Sequence, residues 1–376
     1  MHFLVIGHVD HKKSDNQYFA YGPYVREMNL WFKHVDQVTV VAPLNSQALP
    51  DPIDLPYQHS NLRLLDIPSF NIQSISGILN TLINLPRIWG VTWKAMKQAD
   101  HIHLRCPGNM GLMASIIQIF FPSKEKSAKY AGNWDKNSKQ PFTYRLQQAI
   151  LTNTFLTKNM QVLVYGEWPN ESKNVRPFFT ASYSKNEIET INQKSISNTG
   201  PIRLIFVGGL NSGKQPLISA KVCLELLQKG NEVYLDYYGE GPERSKIESF
   251  IKENELSERI ILHGNVPAPE VKKAFQNSHF LIFISQSEGW PKVVAESMFW
   301  ACLPITTAVS CVPQMLGFGE RGEIVNDDVE EITSKIQTLI DSPDLYLEKT
   351  SKAANWSRQF TLEKFESELQ TVLNRP

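Results

Sequence analysis

Short apolar runs alternate with longer stretches of helical periodicity, and they do so in two successive series along the chain. That alternation constrains the fold more than any other feature. A strand, a helix and a second strand in sequence predict a βαβ unit, and a succession of such units builds a parallel sheet flanked by helices. In the first series the strands are HFLVIG (2–7), QVTVVAP (37–43), RLLDIP (63–68), HIHLRC (101–106), SAKYAGNW (127–134) and QVLVYG (161–166). Helices are expected over Tyr18–Lys33, over 74–98 with an interruption near Pro86, over 108–121 and over 143–155. In the second series the strands are 203–209, 232–239, 259–264, 279–285 and 303–307. The helices are 217–230 (ended by Gly230), 243–256, one running from Pro291 to about Trp300, 330–342, and a helical segment over 343–373.

A chain of 376 residues is too long for one ordinary core, so two domains are expected. The segment 181–200 loses its hydrophobic periodicity and gains Ser, Asn and Lys, which marks it as the linker. The expected division is 1–180, the linker, a second domain over 201–355, and a C-terminal helix over 356–376. Two doubly wound domains facing each other across a cleft follow from this plan, and such clefts are common ligand sites.

Composition excludes some classes. With 42% hydrophobic and 20% charged residues the chain suits a soluble globular protein rather than a disordered one. Lys plus Arg equals Asp plus Glu at 38 each, so the overall charge argues neither for nor against any partner, and no nucleic-acid partner is expected. The charge is unevenly spread: 1–180 carries 18 basic and 12 acidic side chains, a net of +6, and 181–376 carries 20 and 26, a net of −6. A basic first half suits an anionic acceptor or membrane surface. The segment 75–97 adds apolar residues, two tryptophans and three basic residues, a pattern shared by helices lying on a bilayer and helices packed on a sheet. Both readings put Ile75, Leu79 and Leu82 on one apolar face. Cys106, Cys223, Cys302 and Cys311 have no CxxC spacing and read as reduced thiols. The N-terminus reads as a first strand rather than a signal peptide, and no apolar stretch is long enough to span a bilayer. A cytoplasmic location, peripheral at the inner face of the membrane, is the expectation.

The chemistry concentrates in SEGWPKVVAES (287–297), directly after the strand HFLIFIS. Glu288 lies in the loop, Pro291 suits the first turn of a helix, and Glu296 lies on that helix eight residues after Glu288. A strand-to-helix junction presents backbone N–H groups and the positive end of the helix dipole, which suit a diphosphate. Carboxylates accept hydrogen bonds from sugar hydroxyls, so a pair flanking a phosphate site suits a nucleotide-sugar.

This segment resembles the E-x7-E motif of the retaining glycosyltransferases of family 4, which have the GT-B fold of two Rossmann-like domains facing a cleft. The resemblance extends over most of 203–315, through FVGGLNSGK (206–214), YGEGPERSKI (238–247), LHGNVP (262–267) and PITTAVSCVPQML (304–316). Three positions depart from the pattern. Gly209 stands where an Arg is frequent, Ser310 and Cys311 replace a Gly-Gly pair, and Gln314 replaces a Glu.

The resemblance implies a hexosyl transfer with retention from a nucleoside diphosphate sugar to a hydroxyl acceptor, lipid-linked or saccharide, in surface polysaccharide or glycolipid assembly. It implies no cofactor, the nucleotide-sugar being a substrate. It implies no metal, since no DxD-type acidic pair lies near a donor strand. Lys214 would contact the diphosphate, Glu288 the transferred sugar and Glu296 the ribose. Gly208, Gly209, Gly239, Gly241, Gly264, Val266, Gly289, Trp290, Lys292 and Val293 would complete the donor site, with Gly7 and His8 approaching from the first domain. His8, Arg105 and Asn133 would stand on the acceptor side, with Arg105 as a second catalytic cation, and the C-terminal helix over 356–376 would return to pack on the first domain with Trp356, Phe360 and Phe365 as its anchors. A nucleotide-sugar epimerase or hydrolase, and a non-catalytic nucleotide-sugar binder, remain the alternatives on the same fold.

Overall fold

The computed structural model describes residues 1–51, 53–68, 75–190, 194, 196 and 200–374, with the backbone alone over 75–82. The chain forms two compact units, Met1–Phe179 with Glu366–Pro376, and Thr180–Phe365. The expected face of Ile75, Leu79 and Leu82 lies outside the described side chains, as does part of the expected linker, residues 191–193, 195 and 197–199.

The first unit is built on a seven-stranded sheet. Its order is Val175–Phe178, Met160–Tyr165, Glu125–Tyr130, His101–Cys106, His2–Ile6, Gln37–Ala42 and Leu62–Asp66. Every pairing in it is parallel. The chain winds outward from His2–Ile6 to Leu62–Asp66, then restarts on the other side of His2–Ile6 with His101–Cys106. Such a reversal of winding is where open α/β sheets take ligands, beyond the carboxyl ends of the strands. On one side of the strands Leu4, Ile6, Ile102, Leu104 and Val162 join Ile88 and Met96 in a fully buried cluster. Each such side chain contributes roughly 1.5–3 kcal/mol relative to exposure.

The sequence reading needs correction in places. Tyr18–Lys33 is not one helix. His11–Ser14 and Gln17–Tyr21 form an antiparallel hairpin, and the helix is Gly22–Phe32. The two turn residues, Asp15 and Asn16, take positive φ of 45° and 62°, and Asp and Asn tolerate that conformation. Aromatic Tyr18, Phe19 and Tyr21 suit a strand. The helix Ile75–Gln98 runs through Pro86 without interruption.

The second unit carries a six-stranded parallel sheet in the order Ile260–Gly264, Val233–Tyr238, Ile202–Val207, Phe280–Phe283, Leu303–Thr307 and Glu323–Val325. Winding reverses between Ile202–Val207 and Phe280–Phe283. Glu366–Pro376 belongs to the first unit, but two of the expected anchors, Trp356 and Phe360, pack elsewhere. Trp356 stacks on Trp290 at 6.1 Å and Phe360 meets it edge-on at 5.6 Å, all within the second unit. The helix Pro343–Ser357 brings Trp356 there by packing on Lys292–Phe299, where the Ser357 hydroxyl donates to the Ala295 carbonyl at 2.5 Å. Pro291 stands one residue before the motif helix, which starts at Lys292.

Candidate functional site

The site residues of the second unit gather where its winding reverses. Lys214 ends a short 3-10 turn, Ser212–Lys214, that follows the strand Ile202–Val207. The Asn211 side chain caps the turn by accepting the Lys214 N–H at 3.2 Å. Gln215 then takes a left-handed φ of 43°, and Pro216 opens the next helix. The lysine side chain lies against Gly208, where a methyl group would meet Lys214 Cδ at 3.4 Å. The ammonium sits 4.5 Å from the centre of the Phe283 ring and 2.5 Å from Glu288 Oε1.

Glu288 is fixed from its other side. The Ser285 hydroxyl donates to Glu288 Oε1 at 2.8 Å. Ser285 is clamped in turn: its N–H donates to Thr307 Oγ1 at 3.1 Å, and the Thr307 hydroxyl donates to the Ser285 carbonyl at 2.6 Å. The Gln286 N–H donates to the Gly213 carbonyl at 2.8 Å. Loops from three adjacent strands are thus tied together around one ammonium and one carboxylate. Both are partly exposed, with side-chain accessibilities of 25% for Lys214 and 15% for Glu288.

The glycines shape the loops. Gly208 N–H donates to the Tyr238 carbonyl, and Leu210 N–H to the Glu240 carbonyl, both at 2.9 Å. A Cβ on Gly239 would stand 2.0 Å from the Gly208 carbonyl oxygen, and one on Gly241 2.3 Å from that of Leu210. No side chain fits there, and both residues take positive φ. Gly264 N-terminally precedes half-buried Val266 in the adjoining loop, and its carbonyl accepts from Gly239 at 2.8 Å.

Glu296 lies on the motif helix and accepts a hydrogen bond from the Ser182 hydroxyl at 2.5 Å. Burial, with the Glu296 charge second, raises the pKa of neighbouring Tyr183. Trp290, Lys292 and Glu296 line one small recess with Phe360, while Val293 is half-buried. The Cys311 thiol donates to the Gly289 carbonyl at 3.3 Å, and burial pushes its pKa up to about 12, so it stays protonated. Ser310 holds φ at 51°, a left-handed conformation that explains why a glycine suits this position. Gly209 provides no side chain, and Lys214 is the cation against Glu288. A pocket of about 410 Å³ adjoins this cluster, lined among others by Gln215, Ser285, Gln286, Thr307, Asp327 and Glu331. Sequence reasoning missed Ser285 and Thr307, whose roles arise from pairing between strands.

In the first unit Gly7, His8 and Arg105 also gather where the winding reverses. Arg105 packs on Gly7, where a Cβ would meet its own at 3.4 Å, and His8 lies against Gly108. Packing around the His8 ring, then the Arg105 charge, lower the imidazole pKa. Arg105 is 9% exposed, ion-paired to Glu27, and its guanidinium stands 5.2 Å from the centre of the Tyr24 ring. Asn133 uses its side chain locally, accepting the Asp135 N–H at 2.9 Å. Among the described residues no three His, Cys, Asp or Glu side chains gather as metal ligands, and no helix is long and apolar enough to cross a membrane.

Residues 187–357 match the family model described as glycosyl transferases group 1, a span lying within the second unit. An uncharacterized glycosyltransferase of Haemophilus influenzae is 27% identical over 194 residues, 50% of this chain and 51% of that protein. The chain therefore spans about half the length of this curated relative. Among solved structures, Anabaena HepE in complex with UDP superposes with a TM-score of 0.71 at 11% identity, covering 99% of each chain. WaaG, a glycosyltransferase involved in lipopolysaccharide biosynthesis, gives 0.64 at 12% identity over 99% of this chain and 100% of its own. These likenesses show the fold: two Rossmann-like domains of the GT-B type.

Proposed function

We propose that the chain is a retaining glycosyltransferase of family 4 that moves a hexosyl residue from a nucleoside diphosphate sugar to a hydroxyl acceptor. The observation that carries this reading is the pairing of Lys214 with Glu288 where the second sheet reverses its winding, inside the span matched by the family model. In the reaction the bond from the anomeric carbon to the β-phosphate oxygen breaks. A bond to the acceptor oxygen forms, the acceptor proton passes to a phosphate oxygen of the leaving group, and the nucleoside diphosphate departs with the bonding electrons. Lys214 and backbone amides stabilise the charge gathering on that leaving group, while the sugar passes through an oxocarbenium-like state. Glu288 positions sugar hydroxyls and is not a covalent nucleophile. Glu296 holds the ribose. No metal enters the step.

The UDP bound in HepE supports a nucleotide partner, and the assembly role of WaaG supports a lipid-linked or saccharide acceptor. Peripheral contact with an anionic membrane belongs to the same reading. The helix Ile75–Gln98 buries Ile88, Thr92, Ala95 and Met96 but leaves Ile83, Arg87, Trp93, Lys94 and Lys97 exposed. Flotation with anionic vesicles at low salt tests that contact: protein left in the soluble fraction rejects it.

A thermal-shift screen across nucleotide-sugars, followed by mass analysis of products, tests the function. A glycosylated acceptor supports it. An altered free sugar identifies an epimerase or hydrolase, and an unchanged donor a binder.

A further inference from the structure

Lys214 and Glu288 have been given separate partners, a diphosphate and a sugar, yet they hold each other at 2.5 Å. We infer that Glu288 competes with the nucleoside diphosphate for Lys214, and so makes the site favour the nucleotide-sugar over the free nucleotide. The inference rests on the reading of the site as a nucleotide-sugar site.

The geometry makes the competition unavoidable. A phosphate oxygen accepting from Lys214 Nζ at about 2.8 Å shares that ammonium with Glu288 Oε1. Two oxygens bonded to one nitrogen at those distances lie at most about 5.3 Å apart, close enough for two negative charges in a half-buried site to repel. Gly209 brings no second cation to relieve the repulsion. Glu288 cannot simply swing away, because Ser285 holds the same oxygen at 2.8 Å and is itself clamped by Thr307.

A bound nucleotide-sugar resolves the conflict. Its hydroxyls donate to Glu288 and replace the bond that the phosphate takes from Lys214. Once the sugar is transferred, Glu288 loses those donors, and the added charge on the terminal phosphate raises its repulsion from the carboxylate across the shared ammonium. Ser285 is the positioning residue that keeps the carboxylate in reach. One side chain thereby recognises the sugar and displaces the product.

Calorimetric titration of UDP, GDP and ADP, and of the matching glucose conjugates, into the wild type, Glu288→Gln and Glu288→Ala tests this. Circular dichroism establishes that each variant is folded. Both variants should bind the free nucleotide about three- to tenfold more tightly, the size expected on removing one nearby like charge, and should bind the conjugate more weakly. Adding Lys214→Met to Glu288→Gln should erase the gain. Unchanged or weaker nucleotide binding in both folded single variants, or a gain that survives Lys214→Met, overturns the competition while leaving the nucleotide-sugar reading intact. A wild type that binds none of the nucleotides or conjugates overturns both.

Discussion

The two units are built on the same plan and treat its most reactive place differently. In each, a parallel sheet winds outward from its first strand and restarts on the other side. In each, a glycine follows that first strand and a cation comes from a loop or strand end close by. In the first unit the cation is Arg105, buried and matched by Glu27. In the second it is Lys214, partly exposed and matched by Glu288. Both are ion pairs, and the second has room beside it, the pocket lined by Gln215, Ser285 and Asp327. The winding of a sheet supplies a place for a ligand. Whether a ligand can compete for the charged group there depends on how deeply its own partner is buried.

Glu27→Ala sharpens this comparison most. It strands the buried Arg105 charge and should destabilise the first unit by about 3–5 kcal/mol, read as a lowered denaturation midpoint. A loss under 1 kcal/mol would mean that Arg105 is as replaceable as a surface cation. Next, Lys214→Met and Glu288→Ala should each lower kcat/KM about 10²–10³-fold with the melting temperature nearly unchanged. Near-normal activity in either folded variant would move the chemistry away from this pair.

Acid should separate the units further. Burial pushes His11 and His101 down to about 4, and burial also lowers His103, with Arg105 adding to it. All three belong to the first unit. Their folded values lie below the unfolded value of about 6.5, so the unfolded chain takes up protons first. Their contribution is whole above about pH 6.5 and is lost as pH falls towards 4. At pH 5 each of His11 and His101 should cost about 2 kcal/mol relative to pH 7. Hydrogen exchange at the two pH values checks this, and equal loss of protection in both sheets would refute it. The smallest expected effect is that of EDTA, none on turnover. Complete loss restored by Mg²⁺ or Mn²⁺ would overturn the metal-free reading.

Much of the architecture was legible because parallel strands and their crossover helices write themselves as alternating patterns. Where the pattern is weak, the reading failed. The helix Ala268–Asn277 is short and mostly polar, with Phe275 as its one deeply buried side chain, so its apolar signal is brief. The strand Val175–Phe178 contains Pro177 and lies at a sheet edge, where the missing N–H is tolerated. The hairpin His11–Tyr21 reads in the sequence as a loop and a helix, because its signal is two turn residues with positive φ rather than a run of apolar side chains. In the site, Lys214 and Glu288 stood out through the motif around them. Ser285 and Thr307 did not. Twenty-two positions separate them, and only the pairing of Phe280–Phe283 with Leu303–Thr307 brings them together.

The four cysteines give the units separate reporters. Burial pushes each of Cys106, Cys223, Cys302 and Cys311 up to about 12. Alkylation needs the thiolate and access to it, so the folded chain is silent towards maleimide. Cys106 belongs to the first unit and the other three to the second. A peptide map of alkylation against time therefore reads the opening of each sheet on its own clock, without a probe being introduced anywhere in the chain.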